Sequence, residues 1–251
     1  MNDEFRMEQG FERQASGESL TRYTAKTFGW MFAGLLLTMV IAVSMYLSGA
    51  FWYVLQIPAW NFVLLAAELI VVVALTARLE KMSVNTARFM FFLYAAVNGV
   101  VFSMYSDHDP MSLLDSQLAS GAVFGVMALI GYYGNINFSA LRPFMTGGLI
   151  FLFVFWLLAM FIDLSAFETI VCGVGIFLFL IITAYDSKKI QAYYACYGGN
   201  SEMAAKASIF SALQLYLDFT QSVYLYSFYR FVGRMQRCKV ERRSDPGRRL
   251  A

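Results

Sequence analysis

An all-α, polytopic membrane protein with about seven embedded segments and no separate soluble domain is the fold class this sequence predicts. Three observations predict it: 59% of the 251 residues are apolar, only 14% are charged, and the apolar residues gather into seven long runs. A soluble domain of this size carries more surface charge. A hydrocarbon layer about 30 Å thick needs roughly 20 mainly apolar residues per crossing helix, because lipid offers unpaired backbone groups no partner.

The chain starts with residues 1–26, where Arg6, Arg13, Arg22 and Lys26 mix with Asp3, Glu4, Glu8, Glu12 and Glu18, a composition expected of a short disordered or surface-lying tail. The apolar run behind it is too long for a signal-peptide core, so no cleavable export signal is expected. The seven spans are predicted at about 28–47, 60–77, 86–105, 117–133, 143–161, 167–185 and 207–229, inside a transmembrane unit of 27–230, followed by a basic tail at 231–251. Pro58, Pro110, Pro143 and Pro246 fall between spans, in a first turn or in the tail, where a missing N–H does least harm. Aromatic residues such as Trp30, Trp52, Trp60, Tyr132 and Tyr133 sit near proposed ends, as interface anchoring favours. Gly121 and Gly125 form a small-xxx-small pair suited to close helix approach, a pattern common in membrane helices of every function. Such runs, joined by short linkers, leave no amphipathic shell for a soluble core.

Basic residues orient the spans. The connections after the first, third and fifth spans carry no Lys or Arg, whereas the N-terminal tail, Arg78/Lys81/Arg88, Arg142 and Lys188/Lys189/Lys206 hold eleven basic residues. Those basic regions are expected on the cytoplasmic side, the N-terminus among them. The C-terminal tail disputes a full seventh crossing. Arg230, Arg234, Arg237, Lys239, Arg242, Arg243, Arg248 and Arg249 are eight of the 19 basic residues. A full crossing puts them outside; a segment that enters and returns, or one crossing fewer, keeps all of them inside. Anchoring to anionic membrane lipid is the plainer role for this tail, and docking of a partner the lesser one.

Ionisable residues inside a span are costly, so each needs a reason. Asp218 lies near the middle of the last span, with Ser211, Gln214, Gln221 and Ser222 at offsets of −7, −4, +3 and +4. A helix puts all five on one face, and a polar stripe of that extent belongs against other helices or water, so the last helix is expected to be central. A purely structural polar lock also fits. Asp186 follows the apolar run 176–182 and reads equally as an interfacial acid beside Lys188 and Lys189. Glu68 lies mid-span, too deep for an interface, and Arg78 ends the same span about 15 Å further along. Ten residues apart, the two point to different faces.

Enzyme chemistry finds little here. There is one histidine, His108, between Asp107 and Asp109 without a nucleophile, in what reads as an external turn. A G-x-S-x-G elbow, an H-E-x-x-H pair and a phosphate-cradling glycine loop are all missing from the sequence. The cysteines, Cys172, Cys196 and Cys238, are odd in number and far apart, which implies no disulfide framework. No cofactor is expected, and no nucleic-acid partner. No lysine lies between 207 and 229, which argues against a retinal protein.

The segment GIFLFLIITAYDSKKI, 175–190, followed by SALQLYLDF, 211–219, resembles the Bax inhibitor-1 family in a bacterial form. The Glu68 and Arg78 region and the Asn98/Gly99 pair also fit the family pattern. The resemblance spans the whole transmembrane body. It implies a seven-helix bundle with the last helix surrounded by the other six, in a bacterial inner membrane, and a pH-sensitive calcium leak. It further implies that Asp186 and Asp218 form the pH sensor, that Arg78 pairs with these acids in a closed state, and that Glu68 lines the ion path. Two carboxylates close together in a poorly hydrated site resist double ionisation and share a proton. Calcium prefers carboxylate and carbonyl oxygen, so Glu68, Asp186 and Asp218 supply the right ligand type for passage or weak binding. Other bacterial members resemble modulators of a membrane-bound protease complex, and the wider family is linked to stress and cell-death control. A proton-coupled transporter is the remaining alternative.

Overall fold

The computed structural model describes residues 19–78, 81–105, 110–134, 141–159, 162 and 165–244. Eight helices make up the described chain: α1 Leu20–Ser48, α2 Phe51–Leu55, α3 Trp60–Arg78, α4 Val84–Tyr105, α5 Pro110–Tyr133, α6 Arg142–Ala159, α7 Ser165–Tyr197 and α8 Ser201–Ser244. Each of the seven predicted runs lies within or overlaps one long helix, and α2 is a short insertion after α1. Residues 107–109, with His108, lie outside the described residues, as do 1–18 and 245–251.

Local chemistry sets the ends. Ser19 accepts from the backbone N–H of Arg22 and starts α1 at Leu20, upstream of the predicted 28. Gly49 closes α1 in the left-handed region, φ 69°, and its N–H bonds Tyr46 O. Ser83 caps α4 through the N–H of Thr86, and Asn200 caps α8 through those of Glu202 and Met203. Helix α7 continues past Tyr185 to Tyr197, and α8 begins at Ser201, so the partly polar link between Asp186 and Asp218 is itself mostly helix with a tight turn at 198–200. Hydropathy ended the span where apolarity ended; the helix ends only at Gly198 and Gly199, where propensity falls.

The surface is inverted relative to a water-soluble protein. Exposed side chains include Phe32, Val40, Ile70, Phe89, Leu118, Phe153 and Ile170, while Thr27, Thr38, Asn98, Thr183, Asp186, Ser187, Ser211 and Asp218 are buried. Apolar faces outward and polar inward is the arrangement a lipid solvent selects. Helices Leu20–Ser48, Val84–Met104, Arg142–Ala159 and Phe167–Tyr197 are each long and apolar enough to cross a bilayer. The chain is an all-α, polytopic membrane protein.

Helix α8 packs against α1, α4, α5 and α7; α6 rests on α7 and α3 on α4. The main core is aromatic around Tyr216, whose ring meets Phe91 and Tyr94 edge-on at 5.8 and 5.7 Å between centroids. A second, smaller cluster joins Met145, Leu152 and Phe155 of α6 to Val171, Leu178 and Ile182 of α7. The close helix approach occurs at Gly131, where an added Cβ would collide with the backbone of Ala184, so α5 and α7 touch main chain to main chain. In the predicted small-residue pair, Gly121 only borders the Phe219 ring, and a Cβ on Gly125 would meet nothing.

Candidate functional site

Asp186 is buried, 7% exposed, in the interior of α7 rather than at its end. Its Oδ1 pairs with Lys189 Nζ at 3.1 Å, one helical turn on. Asp218 is 5% exposed on α8, the helix packed most closely along α7. Its carboxylate lies within electrostatic reach of both Asp186 and Lys189, and Asp218 Oδ2 is buried with no hydrogen-bond partner among the described residues. Two hydroxyls on the same pair of helices, Ser187 Oγ on α7 and Ser211 Oγ on α8, are also buried without a partner among the described residues. Buried polar atoms without partners are expensive, so each needs a reason.

The polar stripe is resolved residue by residue. Ser211 and Ser222 are buried, and Gln214 and Gln221 are half-buried. Ser222 Oγ donates back to the Asp218 carbonyl at 2.9 Å, a bond within the helix that leaves the carboxylate untouched.

Basic groups frame the α7 side. Lys188 Nζ donates to Gly134 O at 3.1 Å and Gln191 Nε2 to Tyr132 O at 2.9 Å, so α7 supplies donors to the carbonyl end of α5. The Tyr185 ring lies between Lys189 Nζ, 4.5 Å from its centroid, and Arg142, whose Nη2 donates to the Tyr185 hydroxyl at 2.9 Å. Arg78 is exposed at the end of α3. The two ion pairs among the described residues are Lys189–Asp186 and Lys206–Glu202, so the cation against Asp186 is Lys189. The sequence places Asp186 beside Lys188 and Lys189, and the helix selects Lys189, three residues on, as the partner.

Glu68 belongs to a second polar group. It is half-buried on α3, its Oε1 has no partner among the described residues, and it acts electrostatically on Tyr94 and Tyr216. The Tyr216 hydroxyl and Thr38 Oγ1 are 2.6 Å apart, and Thr38 also donates to Gly34 O and Ala95 O. Asn98 Nδ2 donates to Tyr94 O, and the Tyr224 hydroxyl reaches Asn98 Oδ1 at 3.5 Å. Glu68 and the aspartates are thus separate stations, on the α3–α4 side and at the α7–α8 contact. Sequence reading missed Tyr216 and Thr38, because a tyrosine or threonine in an apolar run gives no signal until its hydroxyl finds a partner. Among the described residues no group of three or more His, Cys, Asp or Glu could hold a metal ion.

The family model described as "Inhibitor of apoptosis-promoting Bax1" matches residues 20–234. Inner membrane protein YbhL of Escherichia coli K12 is 31% identical over 214 residues, covering 80% of this chain and 87% of its own. A protein of Deinococcus radiodurans is 31% identical over 209 residues, covering 82% and 89%, and one of Rickettsia prowazekii 29% identical over 217, covering 86% and 91%.

Proposed function

We propose that this chain, which belongs to the Bax inhibitor-1 family, is a pH-sensitive calcium leak channel gated by a carboxylate pair, Asp186 and Asp218. The family model is described in terms of apoptosis, and the reading assigns this chain no enzymatic step. The observation that carries the reading is the burial of both carboxylates on the packed helices α7 and α8, with Asp218 Oδ2 left unsatisfied. A buried group in that condition is stable only while it holds a proton, a cation or a partner supplied from elsewhere.

In this reading seven helices cross a bacterial inner membrane, as the name of the Escherichia coli relative suggests, and α8 is the central one. The N-terminus is cytoplasmic, and the basic tail contacts anionic lipid on whichever side it emerges. Its eight basic side chains lie outside the described ones. When both aspartates are ionised, their repulsion loosens α7 from α8 and their charge draws calcium; Glu68 is the next oxygen donor along the path. Acid neutralises the pair, which removes both effects, so flux falls as pH falls. Lys189 is the cation against Asp186, and Arg78 lies exposed at the end of α3. Calcium is the permeant ion, held weakly at Asp186 and Asp218.

The test is calcium flux into proteoliposomes across a pH series for wild type, Asp186→Asn and Asp218→Asn. Wild type should leak calcium more at neutral than at acid pH, and either variant should lose that dependence. Unchanged pH response in both variants contradicts the acid-pair mechanism, and no flux from folded wild type contradicts the channel. The charged tails favour a second role, docking to a membrane-bound protease complex. Deleting 1–18, upstream of the Ser19 cap, should abolish co-purification of such a complex and leave flux intact if that role holds.

A further inference from the structure

Away from the aspartates, a cavity of about 350 Å³ opens between α1, α4 and α8. Its polar lining includes Lys26, Arg88 and Ser208, its apolar lining includes Trp30, Ala33 and Ala204, and no lining residue is acidic. Arg88 is half-buried, with its guanidinium 5.1 Å from the centre of the Trp30 ring and Nη1 donating to Asn85 Oδ1 at 3.4 Å. Its Nε is buried with no hydrogen-bond partner among the described residues. A guanidinium pinned by an aromatic ring, one N–H unsatisfied and no carboxylate in the lining, calls for an oxyanion; phosphate fits Arg best.

Two neighbours decide which phosphate. Phe32 of α1 and Phe89 of α4, adjacent in sequence to the lining residues Ala33 and Arg88, are 61% and 66% exposed and belong to the outward apolar surface. Lys26 and Arg88 lie in the second turns of α1 and α4, close to the polar ends, and Trp30 is the residue type that favours the headgroup level. The cavity therefore joins a cationic mouth to lipid-facing apolar surface. Gly29 keeps it open, since an added Cβ there would meet nothing within 4 Å.

We propose that this cavity is a binding site for the phosphate headgroup of an anionic phospholipid, with Arg88 and Lys26 holding the phosphate and Trp30, Ala33 and Ala204 taking the first part of the lipid body. The lipid would brace α1 and α4 against the start of α8, the helix that carries Asp218.

The test is native mass spectrometry of the full chain in detergent, titrated with phosphatidylglycerol or phosphatidylcholine. Wild type should retain one phosphatidylglycerol in preference to phosphatidylcholine. Arg88→Gln and Lys26→Gln should each weaken retention roughly 5- to 10-fold, from about 1 kcal/mol per basic contact at a membrane surface. Gly29→Leu should abolish it by filling the cavity with both charges in place, which answers the question even if loss of Arg88 unfolds the chain. Arg142→Gln, which removes a cation bonded to Tyr185 elsewhere, should change nothing. Equal retention in wild type and Gly29→Leu, or no preference between the two lipids, overturns the proposal. Displacement of phosphatidylglycerol by millimolar inorganic phosphate also overturns it, by assigning the site to a soluble phosphate.

Discussion

The two halves of α7 show two ways to hold a membrane helix in place. In the first half Val171, Leu178 and Ile182 pack on Met145, Leu152 and Phe155 of α6, an entirely apolar contact. In the second half Thr183, Asp186 and Ser187 are buried beside α8, which brings Ser211 and Asp218. Lipid already surrounds the bundle with hydrocarbon, so the apolar half gains only shape complementarity. The polar half buries Ser187 Oγ, Ser211 Oγ and Asp218 Oδ2 without a hydrogen-bond partner among the described residues. That difference separates scaffold from mechanism, and five substitutions test whether it is drawn in the right place.

The largest effect is expected where the backbones touch. Gly131→Leu drives α5 off Ala184 and should lower stability by about 3 kcal/mol, the upper range for overpacking. Gly125→Leu, facing open space, should stay within about 0.5 kcal/mol. Thermal melting of the two variants in one detergent compares them; equal melting would move the close contact elsewhere.

Next comes Phe155→Ala in the apolar half. It should cost roughly 3 kcal/mol, mainly from the cavity left behind, and leave the pH dependence of calcium flux unchanged. A changed pH profile would mean that the scaffold half takes part in gating.

In the polar half, Lys189→Gln removes the cation 3.1 Å from Asp186. Loss of a positive neighbour favours the protonated acid, so flux should shut off at a higher pH than in wild type. A pH–flux series reads this directly, and a shift to lower pH would assign Lys189 the opposite role. A smaller loss is expected of Tyr216→Phe, which deletes the hydroxyl 2.6 Å from Thr38 at about 1 kcal/mol of stability. Melting together with flux would show whether the Glu68 station is structural or conducting.

The membrane class, the long helices and the burial of Asp218 were legible in the sequence, because each rests on local pattern: apolar run length, proline placement and the spacing of Ser211, Gln214 and Asp218. Helix ends were legible only where a breaker coincided with a loss of hydropathy. Helix α7 outran its apolar stretch by a dozen residues, since Lys188, Lys189 and Gln191 are good helix formers that hydropathy does not count. The α5–α7 contact was hidden because Gly131 looks like any other glycine until Ala184 is set against it. The Trp30 ring against Arg88 and the partners of Tyr216 and Lys188 are long-range, and a single sequence carries no trace of them.

The central claim is that Asp186 and Asp218 act as one titrating unit, and a double-mutant cycle on the pH response of calcium flux tests it most directly. If they share one proton equilibrium, Asp186→Asn and Asp218→Asn each abolish the response and the double variant adds nothing further. If each single variant removes only part of the response and the double variant removes the sum, the two acids titrate independently and the gate lies elsewhere.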